Sequence, residues 1–243
     1  MKSFSAIALL ATLVIGPAVK PGTAMAQGQT LIFNTEEWFP YNYAKGDSVV
    51  GTATELVKRI ASKAGIPYTI TLGPWNRSYN NALTLPNHCV YSTNITEERR
   101  PLFKWVAPIE NARWVVYKKK GSLIEAKSLE DLRNRVFGGY LGDAIATYLK
   151  NNDFKVEEAA SDHINPRKLE AGRIDVWATY DASGLKLAQD SEVEIELVLP
   201  IRDNELGLAC NKMVDDNAIM AMQKALNELN ASGEADAIRK SKL

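Results

Sequence analysis

From Leu31 onward, short apolar runs alternate with segments of helical periodicity, and this alternation constrains the fold more than any other feature of the chain. Leu31, Ile32 and Phe33 read as a first buried strand. Leu56, Val57, Ile60 and Ala64 then fall on one helical face, with Gly65 as the stop. Thr52 to Glu55 has the spacing of a capping box. Strands are predicted over 69–72, 89–92, 114–117, 136–139, 174–178 and 195–199. The Ala107-Pro108-Ile109 passage precedes the third of these, and Pro200 ends the last. Helices are predicted over 128–133 and 143–149. Two more stand near the C-terminus, the first aligning Ile219, Met222, Leu226 and Leu229 and breaking at Gly233. Strands separated by helices predict an α/β protein.

Composition narrows the function. The chain carries 29 Lys and Arg against 29 Asp and Glu, a balance that argues against a nucleic-acid partner. Two Cys exclude a disulfide-dense scaffold and a four-Cys zinc site, and His88 and His163 leave little for a metal centre. No HExxH or P-loop appears, so neither metal nor cofactor is expected. Ser161, Asp162 and His163 are adjacent, and neighbours along a chain do not make a triad, whose members must converge in space.

The N-terminus reads as a secretory signal peptide over residues 1–26: Lys2, an apolar run over 4–15, the Gly16-Pro17 break and an Ala24-Met25-Ala26 cleavage site. The apolar run is shorter than the roughly 20 residues of a membrane span. An exported, soluble product is expected. Cys89 and Cys210 would then meet an oxidising compartment, where a bridge and a pair of buried free thiols both stay open.

Three local patterns bear on binding. Asn94-Ile95-Thr96-Glu97-Glu98-Arg99 follows a strand, at the carboxyl end where open α/β sheets bind ligands. Arg99 offers a planar fork for a carboxylate, with Thr96 as a helix N-cap the alternative. Gly138 to Asp143 forms a strand, a glycine turn and a helix start, in which Asp143 would either welcome an ammonium or cap the helix. Trp38 and Trp75 are candidate aromatic walls, with core or surface packing the alternative, and Arg77 is either a second anion anchor or one half of an inter-loop ion pair.

Several stretches together resemble the bacterial periplasmic solute-binding proteins of the polar amino-acid type, extracellular family 3. They are Glu37-Trp38-Phe39-Pro40-Tyr41, residues 51–60, residues 93–99, residues 103–108, residues 169–175 and residues 226–240. The Pro74-Trp75-Asn76-Arg77 element is similar to that of a divergent group within the family. The resemblance implies a two-lobed type II periplasmic-binding-protein fold with two hinge strands and a ligand cleft. The lobes are placed at 27–110 plus 203–243 and at 111–202. It further implies a small solute, an amino acid or related carboxylate, with Arg99 on the carboxylate, Asn94 and Thr96 in support and Trp38 over the ligand. The place of the family's ammonium-binding acid falls on Tyr180, with Asp181 next to it. A monomer that delivers its solute to an ABC transporter permease is expected. Two alternatives use the same scaffold: an enzyme of the cyclohexadienyl-dehydratase kind, with Glu37, Asp143 or Asp181 moving protons, and a ligand-binding partner of a sensor.

Overall fold

The structure is a computed structural model and describes residues 30–241; the signal-peptide segment lies outside the described residues. Strands β1 (Leu31–Thr35), β4 (Tyr68–Leu72) and β5 (His88–Asn94) form a parallel set with β1 in the centre. A small hairpin, β2 (Tyr43–Lys45) and β3 (Ser48–Val50), sits apart. Strands β7 (Val136–Tyr140), β8 (Lys155–Ala159) and β9 (Val176–Tyr180) form a second parallel set with β7 in the centre.

Two 16-residue strands join the sets, β6 (Lys104–Lys119) and β10 (Ile195–Cys210), which pair antiparallel along their length. The C-terminal part of β10 pairs with β5, and Trp114 to Tyr117 of β6 pair with β9. Around Glu110 to Arg113 and Asp203 to Leu206 the pair thus passes from one set to the other, giving the order β4-β1-β5-β10-β6-β9-β7-β8. The result is a two-lobed α/β protein hinged on two strands.

The helices cover both lobes. In the first lobe these are α1 (Thr52–Ala64), α2 (Trp75–Thr84), α6 (Asp216–Ala231) and α7 (Glu234–Lys240). In the second they are α3 (Ala144–Asn151), α4 (Asn165–Glu170) and α5 (Asp181–Asp190). Leu56, Val57 and Ile60 of α1 and Met222, Leu226 and Leu229 of α6 are buried, as their spacing predicts. Gly65 ends α1 in the left-handed conformation. Burying a Leu or Ile side chain contributes about 1.5–3 kcal/mol, so these faces fix both helices to the sheet.

Several local expectations are corrected. The capping box at Thr52 does not form: the N-cap is Gly51, and Thr52 is already helical. The first N–H groups of α1 instead donate to the carbonyls of Pro40 and Tyr41. That backbone approach is close enough that a Cβ at position 51 would stand 2.3 Å from the Tyr41 carbonyl oxygen. The Pro108 passage is not a break, because β6 runs through it; the Gln223 side chain accepts from the Ala107 N–H and donates to the Ala107 carbonyl where the pairing with β10 slips. Nor does Pro200 end a strand. It sits beside a register shift that absorbs its missing N–H. Residues 128–133 make only a 3-10 turn, Leu129–Leu132, and that turn does carry a capping box, from Ser128 and Asp131.

Cys89 and Cys210, opposite each other on β5 and β10, form a disulfide. The bridge closes a segment that contains the whole second lobe.

Candidate functional site

The site grows from the carboxyl ends of the parallel strands, the position at which open α/β sheets converge on ligands. Glu36 follows β1, Asn94 ends β5, Tyr140 ends β7 with Gly142 and Asp143 just beyond, Asp162 follows β8, and Tyr180 ends β9. The two lobes face each other through these residues, and hydrogen bonds cross between them. Trp38 Nε1 donates to Ser183 Oγ at 3.0 Å and the Tyr140 hydroxyl to Glu36 Oε1 at 3.1 Å. Asn94 Nδ2 donates to the Tyr180 hydroxyl at 2.8 Å, and that hydroxyl donates to Asp143 Oδ1 at 2.9 Å. Trp75 Nε1 (2.9 Å) and Arg99 Nη2 (2.8 Å) both donate to the Gly142 carbonyl.

Two cavities flank this seam. One, of about 260 Å³, is lined by Glu36, Trp38, Phe39 and Tyr43 from the first lobe and by Tyr140, Asp162, Tyr180 and Lys186, among others, from the second. The Trp38 ring lies 4.4 Å from that of Tyr180 and edge-on to Tyr41. The other, about 650 Å³, is a polar groove around Thr96, Glu97, Glu98, Arg99 and Arg202. Arg202 stacks over Trp114 and Tyr148 there, with its guanidinium carbon 4.2 Å and 4.9 Å from the ring centres.

The first cavity is electrostatically unusual. Burial pushes the Glu36 carboxyl well above the ordinary carboxylate range. The charges of Asp143 and Asp162 push the same way, against the Tyr140 hydrogen bond and the charge of Arg99. Burial likewise raises Asp143 to about 6, opposed chiefly by the Tyr180 hydroxyl. Asp162 is raised by burial although Trp177, Thr179 and Asn165 all donate to it. The Tyr140 and Tyr180 hydroxyls, raised by burial and then by neighbouring carboxyls, stay protonated and donate. Buried carboxyls among aromatic faces favour a cation, through direct charge pairing and through cation–π contact.

The structure brings Trp38, Asn94, Asp143 and Tyr180 together at the seam. Asp143 caps α3 through Oδ2, accepting from the N–H groups of Ile145 and Ala146, while Oδ1 takes Tyr180. Arg99 and Trp75 meet them at the Gly142 carbonyl, the guanidinium carbon lying 5.3 Å from the Trp75 ring and 5.0 Å from that of Tyr79. Thr96 faces the polar groove, and its Oγ1 accepts from the Arg99 N–H. Arg77 and Asp181 line neither cavity. Arg77 is exposed and lies against Gly73, and Asp181 Oδ1 accepts from the Ala182 N–H at the start of α5. Glu37 and Ser161 do line the first cavity; Glu37 accepts from the Ala44 N–H and Ser161 caps a 3-10 turn. Sequence reasoning missed Glu36 and Tyr140 and did not place Asp162 at a binding surface; their positions just after strands were the available signal.

Gly142 adopts φ +74°, and a Cβ there would fall 2.1 Å from Asn76 Oδ1 of the opposite lobe. Asn76 is exposed and its side chain can turn aside, so the strain of alanine at this positive φ carries most of the effect. With the Cβ as a minor wedge, Gly142→Ala should distort the turn, loosen both donors to the Gly142 carbonyl and move the open–closed balance about tenfold toward open, equivalent to about 1.4 kcal/mol. Small-angle X-ray scattering should show a larger radius of gyration than the parent's; superimposable curves would contradict this effect.

Comparison with known proteins agrees with this architecture. The model of the "Bacterial extracellular solute-binding proteins, family 3" matches residues 31–241. The arginine-binding extracellular protein ArtP of Bacillus subtilis (strain 168) is 24% identical over 226 residues, covering 90% of this chain and 88% of the relative. A histidine kinase sensor domain with similarity to periplasmic binding proteins superposes with a TM-score of 0.82 at 19% identity, over 89% of this chain and 97% of that one. The arginine-, lysine-, histidine-binding protein ArtJ of Geobacillus stearothermophilus gives 0.76 at 17%, over 88% and 95%. At such identities the two structures speak for the fold. Among the described residues no helix is long and apolar enough to cross a membrane.

Proposed function

The chain belongs to the bacterial extracellular solute-binding proteins of family 3, and from that premise we propose that it is the periplasmic binding component of an ABC importer, capturing a small nitrogen-bearing solute, an amino acid or a close relative of one, between its lobes. The observation that carries this reading is the cavity of about 260 Å³ walled from both sides by Glu36, Trp38, Tyr140, Asp162 and Tyr180. A solute held there touches both lobes at once, so its binding energy goes directly into closure, and the closed form is what a permease would recognise. The acids and rings favour a positively charged solute. The arginine-binding name of the Bacillus relative supports that charge preference. Arg99, expected to take a carboxylate, serves in this reading within the clasp on Gly142.

A thermal-shift screen tests the proposal, using arginine, lysine, histidine, glutamine and simple amines against hydroxy acids and sugars. A true ligand at a hundredfold excess over its Kd should add about 2.7 kcal/mol of stability. A response confined to nitrogen-bearing solutes is expected. Silence across them, or a response to sugars alone, would refute it.

A further inference from the structure

At the seam, groups that a charged amino-acid head would need are engaged with one another. Asn94 gives Nδ2 to the Tyr180 hydroxyl and Oδ1 to Trp114 Nε1. Asp143 is filled by two backbone N–H groups and by Tyr180. Arg99 lies against the rings of Trp75 and Tyr79 with Nη2 on the Gly142 carbonyl. Tyr180 is buried and belongs to the wall of the aromatic cavity, whereas Arg99 lines the groove on the other side of the seam.

The chemistry of the aromatic cavity leans acidic. Glu36 and Asp162 supply carboxyls, and Trp38, Phe39 and Tyr140 supply faces and edges. Two basic side chains reach it: Lys186, which is ion-paired with Asp190 and lies 5.8 Å from the Phe39 ring centre, and the exposed His163. No arginine lines it. An α-carboxylate placed there would meet Glu36 and Asp162 at close range and find no guanidinium, and burying such an unpaired anion is costly.

Resting on the proposed function above, we infer that the solute is a small organic cation without an α-carboxylate, a primary amine or guanidine, and that Tyr180 sets this preference by standing where the head of an amino acid would have to pass to reach Arg99. Glu36 takes the cationic end, and the rings around it take the methylene chain.

Calorimetry on the purified protein with two matched pairs decides the matter: arginine against agmatine, and lysine against cadaverine, each amine being the amino acid less its carboxylate. At least one amine should bind ten or more times more tightly than its parent amino acid. An amino acid binding as tightly as its amine, or more tightly, overturns the inference. A response to glutamine or histidine alone overturns it too, yet leaves the proposed function standing; silence from every nitrogen-bearing solute sinks both. Tyr180→Ser supplies a second readout, since removing the ring opens the way to Arg99 and should narrow the amine preference at least tenfold. An unchanged preference in that variant would overturn the role given to Tyr180. Should the variant not fold, the paired titrations on the parent protein still decide the solute class.

Discussion

Replacing Cys89 and Cys210 together by alanine lowers the stability of the protein by about 4–5 kcal/mol. The bridge joins residues 121 apart in sequence, and closing so long a loop removes that much chain entropy from the unfolded state. Its position makes the effect structural as well. The chain leaves the first lobe along β6, builds the whole second lobe and returns along β10, and the bridge fastens the returning strand to β5. Both sulfurs come from fully buried residues at directly paired positions, so the double variant also leaves a small cavity, adding to the loss rather than offsetting it. Urea melts of the parent and the double variant measure this. A difference under about 1 kcal/mol would show that the bridge does not constrain the unfolded chain as described.

Glu36→Gln should weaken binding of a cationic solute by about 30-fold or more, near 2–4 kcal/mol, because it removes the charge while keeping the shape and leaves a desolvated cation unpaired. The pH dependence carries the same signature. Burial, then the charges of Asp143 and Asp162, hold Glu36 well above the ordinary carboxylate range, while the Tyr140 hydrogen bond and Arg99 pull it down. A cation binds the ionised form. Affinity therefore rises as pH climbs through the raised pKa of Glu36 and levels off above it, and it is lost on acidification at a higher pH than an exposed glutamate would give. In Glu36→Gln this rise is absent. What remains belongs to Asp162, whose carboxyl burial also raises, and to Asp143, which titrates at about 6. Titrations from pH 5 to 8 on both proteins give the comparison, and parallel profiles would refute the role of Glu36.

The alternation of strands and helices was legible because each buried element carries its own period, as the matched faces of α1 and α6 show. Asp143 could be read as a helix cap from its place after a glycine turn, and it is one. The two prolines misled because Pro108 and Pro200 lie in a pair of strands whose bulges and a glutamine side chain absorb the lost hydrogen bonds, a tertiary remedy with no local trace. The same holds for the site. Nothing near Glu36 in sequence separates it from the exposed Glu37, and only the convergence of β1 with β7, β8 and β9 at one seam gives it Tyr140 as a partner and Asp162 as a neighbour. Likewise the Tyr180 hydroxyl finds Asn94, 86 residues away, only once the lobes meet.

The claim on which all of this depends is that the solute sits in the aromatic, acid-lined cavity and not in the arginine-lined groove. Intermolecular nuclear Overhauser contacts between a bound solute and the protein would locate it. Contacts to the ring protons of both Trp38 and Tyr140, one from each lobe, are the predicted result; contacts to Leu102 and Tyr148 of the groove, with none to Trp38, would contradict it.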